Sequence, residues 1–348
     1  MVYLHGIGHF HPENTIDNSF LANLDIGVDE KWVLERVGIH ERRTVLSLDY
    51  ISKTRNQDPR AAREASDYNN AQTGAIAALR AISRAGIEAS DIGMVIAGGC
   101  SPQYSIPSEA CMIAAEIGIE VPAIDLNAAC SSFAMQLHFI NSMRAEATPD
   151  FILLVNSENN TRTIDYSDRT TAVLWGDGTV ASVVSNKISS SAEIKFSTYN
   201  SNPFGWNKVL IPNGRHFWQD GAAVQTFAIK RTVETIIKLR ESTVNHPENF
   251  FFIGHQANLR MLQSVCNRVD INADRHLFNV DHFGNCGAAG APSVLSENWD
   301  SFQSGDELAL AVVGSGLAWG DSYYTLQNTA KLNLKVCNLV YKNVFLGD

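Results

Sequence analysis

Cys130 lies in Asp125-Leu126-Asn127-Ala128-Ala129-Cys130-Ser131-Ser132-Phe133, where a β-like run meets an Ala-, Met- and Leu-rich stretch of helical period. A thiol at the start of a helix feels the positive end of the helix dipole and nearby free N–H groups, which favour the nucleophilic thiolate. The small flanking residues leave room for an acyl chain. A Cys at such a junction is also a common packed core residue, so the position alone leaves both readings open. His255 follows the apolar run Phe250-Phe251-Phe252-Ile253, in Gly254-His255-Gln256-Ala257-Asn258-Leu259-Arg260. Asn285 stands in Phe283-Gly284-Asn285-Cys286-Gly287-Ala288-Ala289-Gly290, a glycine turn opening into very small residues. Taken singly, a His at a strand end is commonly structural, and a small-residue run signals only close helix packing.

Elements that would carry these residues follow from the hydrophobic pattern. Short apolar runs bounded by turn residues alternate with longer helical periods, the pattern of an α/β layered protein. Strands are expected over 2–9, 92–98, 122–127, 151–157 and 179–185, with helices over 66–86, 107–118 and 130–146. The order returns after residue 190: a strand near 193–199, a long helix near 222–241, a strand at 250–253, a small-residue helix from 286, and strands at 307–313 and 320–326. The chain therefore divides into similar halves, 1–188 with the Cys and 189–328 with the His and Asn, followed by an extension at 329–348. Residues 45–66 are polar and aperiodic, and read either as a loop bordering a substrate entrance or as an inert insertion.

Bulk properties narrow the chemistry. At 348 residues, 45% hydrophobic and 18% charged, the chain is long and apolar enough for a sizeable core. A formal net charge of −10 with no basic run argues against nucleic-acid binding. No apolar stretch is long enough to span a bilayer and the N-terminus lacks a secretory plan, so a cytoplasmic protein is expected. Six cysteines, at 100, 111, 130, 266, 286 and 337, are scattered with no C-x-x-C pair, which indicates neither a zinc site nor a disulfide framework.

Together the segments resemble the beta-ketoacyl-acyl-carrier-protein synthase III family. Ala-Ala-Cys130-Ser-Ser-Phe, His255-Gln-Ala-Asn-Leu-Arg and Gly-Asn285-x-x-Ala-Ala occur in the order and separation of that family's Cys, His and Asn motifs. Trp175-Gly176-Asp177-Gly178 is similar to its mid-chain Phe-Gly-Asp-Gly, and Gly314-Ser315-Gly316-Leu317-Ala318-Trp319-Gly320 to its C-terminal glycine-rich turn. The resemblance implies a five-layered α-β-α-β-α thiolase-like fold and a homodimer. It also implies a decarboxylating condensation of an acyl-coenzyme A starter with a malonyl thioester on a carrier protein, in fatty-acid or specialised polyketide-type biosynthesis. Cys130, His255 and Asn285 would be catalytic, and the backbone N–H groups of Cys130 and Ser315 would form an oxyanion hole.

Trp32, Arg36 and Arg169 match the family's coenzyme A contacts. Ile106 matches a residue that reaches into the neighbouring subunit's acyl channel, and Trp175 a pocket wall. Asn258 and Arg260 complete the expected substrate-binding set, and Arg260 and Arg268 are candidates for carrier docking. Thr226 and Asn267 replace basic residues usual in the family, which leaves room for a specialised pathway. No metal or permanently bound cofactor is required. A non-condensing acyltransferase passing the acyl group from Cys130 to an alcohol or amine is the first alternative, and a non-catalytic subunit of a condensing heterodimer the second.

Overall fold

The computed structural model describes residues 1–242 and 247–327, so the extension at 329–348 lies outside the described residues. Ten strands form one sheet: β1 (Val2–Phe10), β2 (Ile92–Ala97), β3 (Ala123–Asp125), β4 (Phe151–Glu158), β5 (Gly178–Ser185), β6 (Ala192–Ser201), β7 (Phe250–Gly254), β8 (His276–Leu277), β9 (Glu307–Gly314) and β10 (Ala318–Leu326). Their spatial order is β8-β7-β9-β10-β6-β1-β5-β4-β2-β3. The first five strands therefore run β1-β5-β4-β2-β3 and the last five β6-β10-β9-β7-β8, the same order repeated. Strand directions repeat as well. The outer pairs β2·β4, β2·β3, β7·β9 and β7·β8 are parallel, whereas β4·β5, β5·β1, β9·β10 and β10·β6 are antiparallel. The halves meet where Val2, Tyr3 and Leu4 pair antiparallel with Ile194, Glu193 and Ala192.

Helices α1 (Glu30–Arg36), α2 (Asn70–Ala85), α3 (Glu109–Glu116), α4 (Ser132–Ser142), α5 (Gly221–Ser242), α6 (Leu259–Arg268) and α7 (Gly290–Glu297) complete the fold needed here. Both α4 and α7 form the middle layer. The first touches β4 and β1 of one half and β6 and β10 of the other, and the second touches β1 and β5 on one side and β7 and β9 on the other. Their positions explain their composition. Phe133, Ala134, Leu137 and Ile140 of α4 are fully buried, and every α7 residue from Gly290 to Ser296 is buried, because each helix is covered on two faces by sheet. Outer layers are made by α2 and α3 on one side and α5 and α6 on the other. This is the expected five-layered arrangement.

Several boundaries are tighter than the hydrophobic pattern suggests. The helix expected over 66–86 begins at Asn70, because Asn69 and Gln72 form a capping box, and ends where Gly86 turns left-handed at φ 70°. The helix expected over 130–146 begins at Ser132, after a 3-10 turn at Ala129–Ser131, and stops where Met143 becomes extended. Residues 45–66 are not an aperiodic surface loop. Ser47 caps a helix over Leu48–Thr54, and the fully buried Ile51 and Ala62 join the apolar cluster that contains Cys130, Trp175 and Phe217.

Candidate active site

The Cys130 turn is built by a short strand, a strained residue and a helix start. After β3, Ala129 takes φ 49°, a left-handed value uncommon for a residue with a Cβ. Asn127 Oδ1 accepts the Ala129 N–H at 2.8 Å and Ser132 Oγ accepts the Ala128 N–H at 2.9 Å, so side chains on both flanks hold the turn. Strain held by surrounding bonds in this way is a common property of functional turns. Cys130, 8% exposed, sits at the middle of the 3-10 turn that leads into α4.

His255 approaches Cys130 from the end of β7, and its ring acts to draw the Cys130 thiol down. Gln256, fully buried behind it, fixes this strand end. Its Nε2 donates to the Gly254 carbonyl at 2.7 Å, and its Oε1 accepts the Asn279 N–H at 3.2 Å. Asn285 is held from both sides by the Trp175 turn: its N–H donates to the Leu174 carbonyl at 2.8 Å and its carbonyl accepts the Gly176 N–H at 3.2 Å. That turn is locked in turn by Asp177, whose carboxylate accepts the N–H groups of Val45 and Thr161, each at 2.8 Å. The 3-10 turn Gly287–Ala289 that follows Asn285 packs against the Cys130 turn.

Two residues that sequence reasoning did not single out complete the pocket. The Cys100 sulfur lies 3.4 Å from the Cys130 sulfur. Fully buried Glu158 ends β4, where Oε2 accepts the Cys100 N–H at 2.9 Å and Oε1 the Ala288 N–H at 2.7 Å. A Cβ on Gly287, at φ 54°, would fall 2.5 Å from Glu158 Oε1, so only glycine lets the turn come this close. Burial, and then the Cys130 charge, push the Glu158 carboxyl up to about 8. The Cys130 thiol is pushed down to about 5, first by the Cys100 hydrogen bond and then, against burial, by His255. Burial and the neighbouring acids hold Cys100 well above the usual thiol range, with the Cys130 hydrogen bond as the largest cause. The signal for Glu158 was an acid closing the apolar run Phe151-Ile-Leu-Leu-Val, at a strand end that faces a site. Nothing in the spacing of Cys100 pointed to Cys130.

The remaining predicted residues divide into three places. Trp32 lies between two guanidinium groups, Arg36 at 4.9 Å and Arg169 at 5.4 Å from the ring centroid. Arg260 joins this group by donating to the Leu34 carbonyl at 2.9 Å, near the end of α1. Asn258 is the N-cap of α6, accepting the Met261 N–H at 2.7 Å. Trp175 is buried against Phe217, ring centroids 4.7 Å apart. Ser315 follows Gly314, whose backbone lies against Ser131 and Ala128 of the Cys130 turn, and its hydroxyl donates to the Val209 carbonyl at 2.8 Å. Ile106 is 85% exposed and stands apart from all of these.

Comparison with known proteins shows the family. The family profile of 3-oxoacyl-[acyl-carrier-protein (ACP)] synthase III covers residues 124–203, and that of its C-terminal region covers residues 239–326. A beta-ketoacyl-[acyl-carrier-protein] synthase III of Clostridium botulinum is 30% identical over 333 residues, 90% of this chain and 95% of the relative. The chain belongs to the beta-ketoacyl-[acyl-carrier-protein] synthase III family. Among solved structures, the synthase III of Aquifex aeolicus VF5 superposes with a TM-score of 0.82 at 24% identity, over 93% of this chain and all of that one. The priming beta-ketosynthase of the R1128 polyketide pathway gives a TM-score of 0.80 at 22% identity, over 94% and 97%. A synthase III chain is a member of the acyltransferase class, and among the described residues no helix is long and apolar enough to cross a membrane.

Proposed function

We propose that this synthase III chain joins an acyl starter to a malonyl thioester through an acyl-Cys130 intermediate, releasing carbon dioxide. The observation that carries the reading is the Cys130 thiol on a strained turn at the start of α4, with the His255 ring acting on it and the turn that follows Asn285 packed against it. The thiolate attacks the thioester carbon of an acyl-coenzyme A, the oxyanion rests on the N–H groups of Cys130 and Ser315, and coenzyme A leaves as its thiolate, which takes a proton from solvent. The malonyl thioester then loses carbon dioxide. His255, as the neutral imidazole, and the Asn285 amide donate to its thioester oxygen as charge builds there. The enolate carbon attacks the acyl-cysteine, and the Cys130 sulfur leaves as the thiolate.

Trp32 with Arg36 and Arg169 gives a flat ring and two cations, the chemistry that an adenine and phosphates require. Arg260 and Asn258 border that surface. A groove lined by Thr226, Ile229, Lys230, Glu234 and Arg268 on α5 and α6 is our candidate landing place for an acidic carrier protein. Exposed Tyr104, Ile106 and Ile124 beside the outer edge of β3 support a homodimer in which Ile106 enters the partner's acyl channel. The proposed steps call on no metal or redox group, and a cytoplasmic setting would keep both pocket thiols reduced.

Mass spectrometry of the protein after incubation with a panel of acyl-coenzyme A compounds tests the proposal. An acyl adduct on Cys130 that malonyl-carrier protein discharges with release of carbon dioxide is the expected result. Asn285→Ala should still form the adduct and lose at least about a hundredfold in decarboxylation, the scale of one lost oxyanion donor. Discharge of the adduct only to a small alcohol or amine would replace condensation by simple acyl transfer.

A further inference from the structure

The condensation set out above leaves Cys100 without a task. Its sulfur is 3.4 Å from that of Cys130, within the range of a thiol hydrogen bond, and either sulfur has the geometry to be the donor. Its backbone N–H is clamped by both oxygens of Glu158, at 2.9 and 3.1 Å, so the residue is fixed with its side chain toward the nucleophile. The titratable groups that face the Cys130 sulfur are Cys100 from the loop after β2, His255 from the end of β7 and Glu158 from the end of β4. Arg162 and Cys286 lie behind Glu158.

We propose that Cys100 is a positioning residue for the acyl-transfer step, donating its S–H to the Cys130 sulfur and so holding that sulfur as a thiolate between turnovers. The proposal rests on the reading of Cys130 as the nucleophile. Its directionality comes from the surroundings: the Cys130 sulfur sits at the start of α4 and faces His255, both of which favour the anion there, whereas Cys100 is buried beside the Glu158 carboxyl and keeps its proton. No bond is made or broken at Cys100. When Cys130 is acylated its sulfur loses the charge, the hydrogen bond weakens, and it re-forms when condensation returns the thiolate. The resting anion then has a donor besides His255, the residue that donates to the substrate oxygen in the condensation proposed above.

The test is the pH dependence of Cys130 alkylation by iodoacetamide, followed at the Cys130 peptide by mass spectrometry, in the wild type, Cys100→Ala and Cys100→Ser. The wild type should show a midpoint well below the ordinary thiol value of about 8.5. Cys100→Ala should raise the midpoint by at least about one unit, seen as roughly tenfold slower labelling at mildly acid pH. Cys100→Ser, whose hydroxyl can donate from the same place, should stay near the wild type. Equal midpoints in all three proteins would overturn the proposal, and so would equal shifts in both variants, which would make Cys100 only a packing residue. If Cys100→Ala does not fold, Cys100→Val fills the volume without a donor and serves the same comparison. Acylation by acyl-coenzyme A, measured on the same samples, separates the two readings. A Cys100-dependent midpoint with no acylation sinks the proposed function alone, and acylation with an indifferent midpoint sinks this inference alone.

Discussion

Glu158 is fully buried, yet its carboxyl faces a sulfur that carries negative charge, and the result is a group that changes state close to neutral pH. Below about 8 it is the neutral acid and adds no charge to the pocket. Above that value its carboxylate opposes the enolate and the arriving malonyl group. Condensation should therefore rise as Cys130 ionises through about 5 and fall as Glu158 ionises through about 8. Glu158→Gln should keep the acid limb and lose the alkaline fall in a rate profile from pH 4.5 to 9.5, and a fall that persists in this variant would assign it elsewhere. The same group leaves a mark on stability. A carboxyl raised in the folded state contributes stability that is full below its unfolded value of about 4.3 and lost as pH rises through the folded one. Urea unfolding should show the wild type losing stability relative to Glu158→Gln between pH 5 and pH 9.

At the scale of elements, the end of β9 and the start of α4 touch so closely that neither tolerates an extra methyl. A Cβ at Gly314 would meet the Ser131 N–H and hydroxyl, each at 2.9 Å. Gly314→Ala should push the strand end that carries Ser315 away from the Cys130 turn while the sheet register from Glu307 onward stays intact. The expected outcome is a folded protein whose acylation rate falls by about a hundredfold or more, the cost of losing one oxyanion donor. An unchanged rate would remove Ser315 from the oxyanion hole.

This contact also shows what the sequence could disclose. Cys130, His255 and the Asn285 turn were legible because each sits at a junction with a local signature, an apolar strand running into small residues. Cys100 carries no such mark, and Glu158, though an acid after an apolar run, has nothing in its spacing that ties it to Cys130. They become neighbours of Cys130 only because β2, β4 and the turn after β3 end side by side, a relation set by sheet order. The helix inside 45–66 was missed for a different reason: its buried face amounts to little more than Ile51, too few residues to show a period.

For the whole molecule, the middle layer makes each half incomplete without the other. Phe133, Leu137 and Ile140 of α4 are buried partly by strands of the second half, and exposing them would cost roughly 2 kcal/mol apiece. The chain between β5 and β6 is exposed at Lys187, Ile188 and Ser189. Opening it there should leave two fragments that stay together on size-exclusion chromatography and retain alkylation-competent Cys130, while either fragment expressed alone aggregates. Two separately soluble, folded fragments would contradict a shared middle layer.

The repeated strand order places the 3-10 turns Ala129–Ser131 and Gly287–Ala289 at corresponding stations, each between the third and fourth strand of its half and each opening a middle helix. One backbone shape is thus used twice across a pseudo-dyad, for opposite electrical ends. In the first repeat it mounts a sulfur that gathers negative charge; in the second it lends an amide hydrogen that anchors the acid next door. A mirror exchange that installed a thiol at Ala288 would set it on the turn bound to Glu158 and yield no second catalyst, so the difference between the two turns resides in their side chains and neighbours.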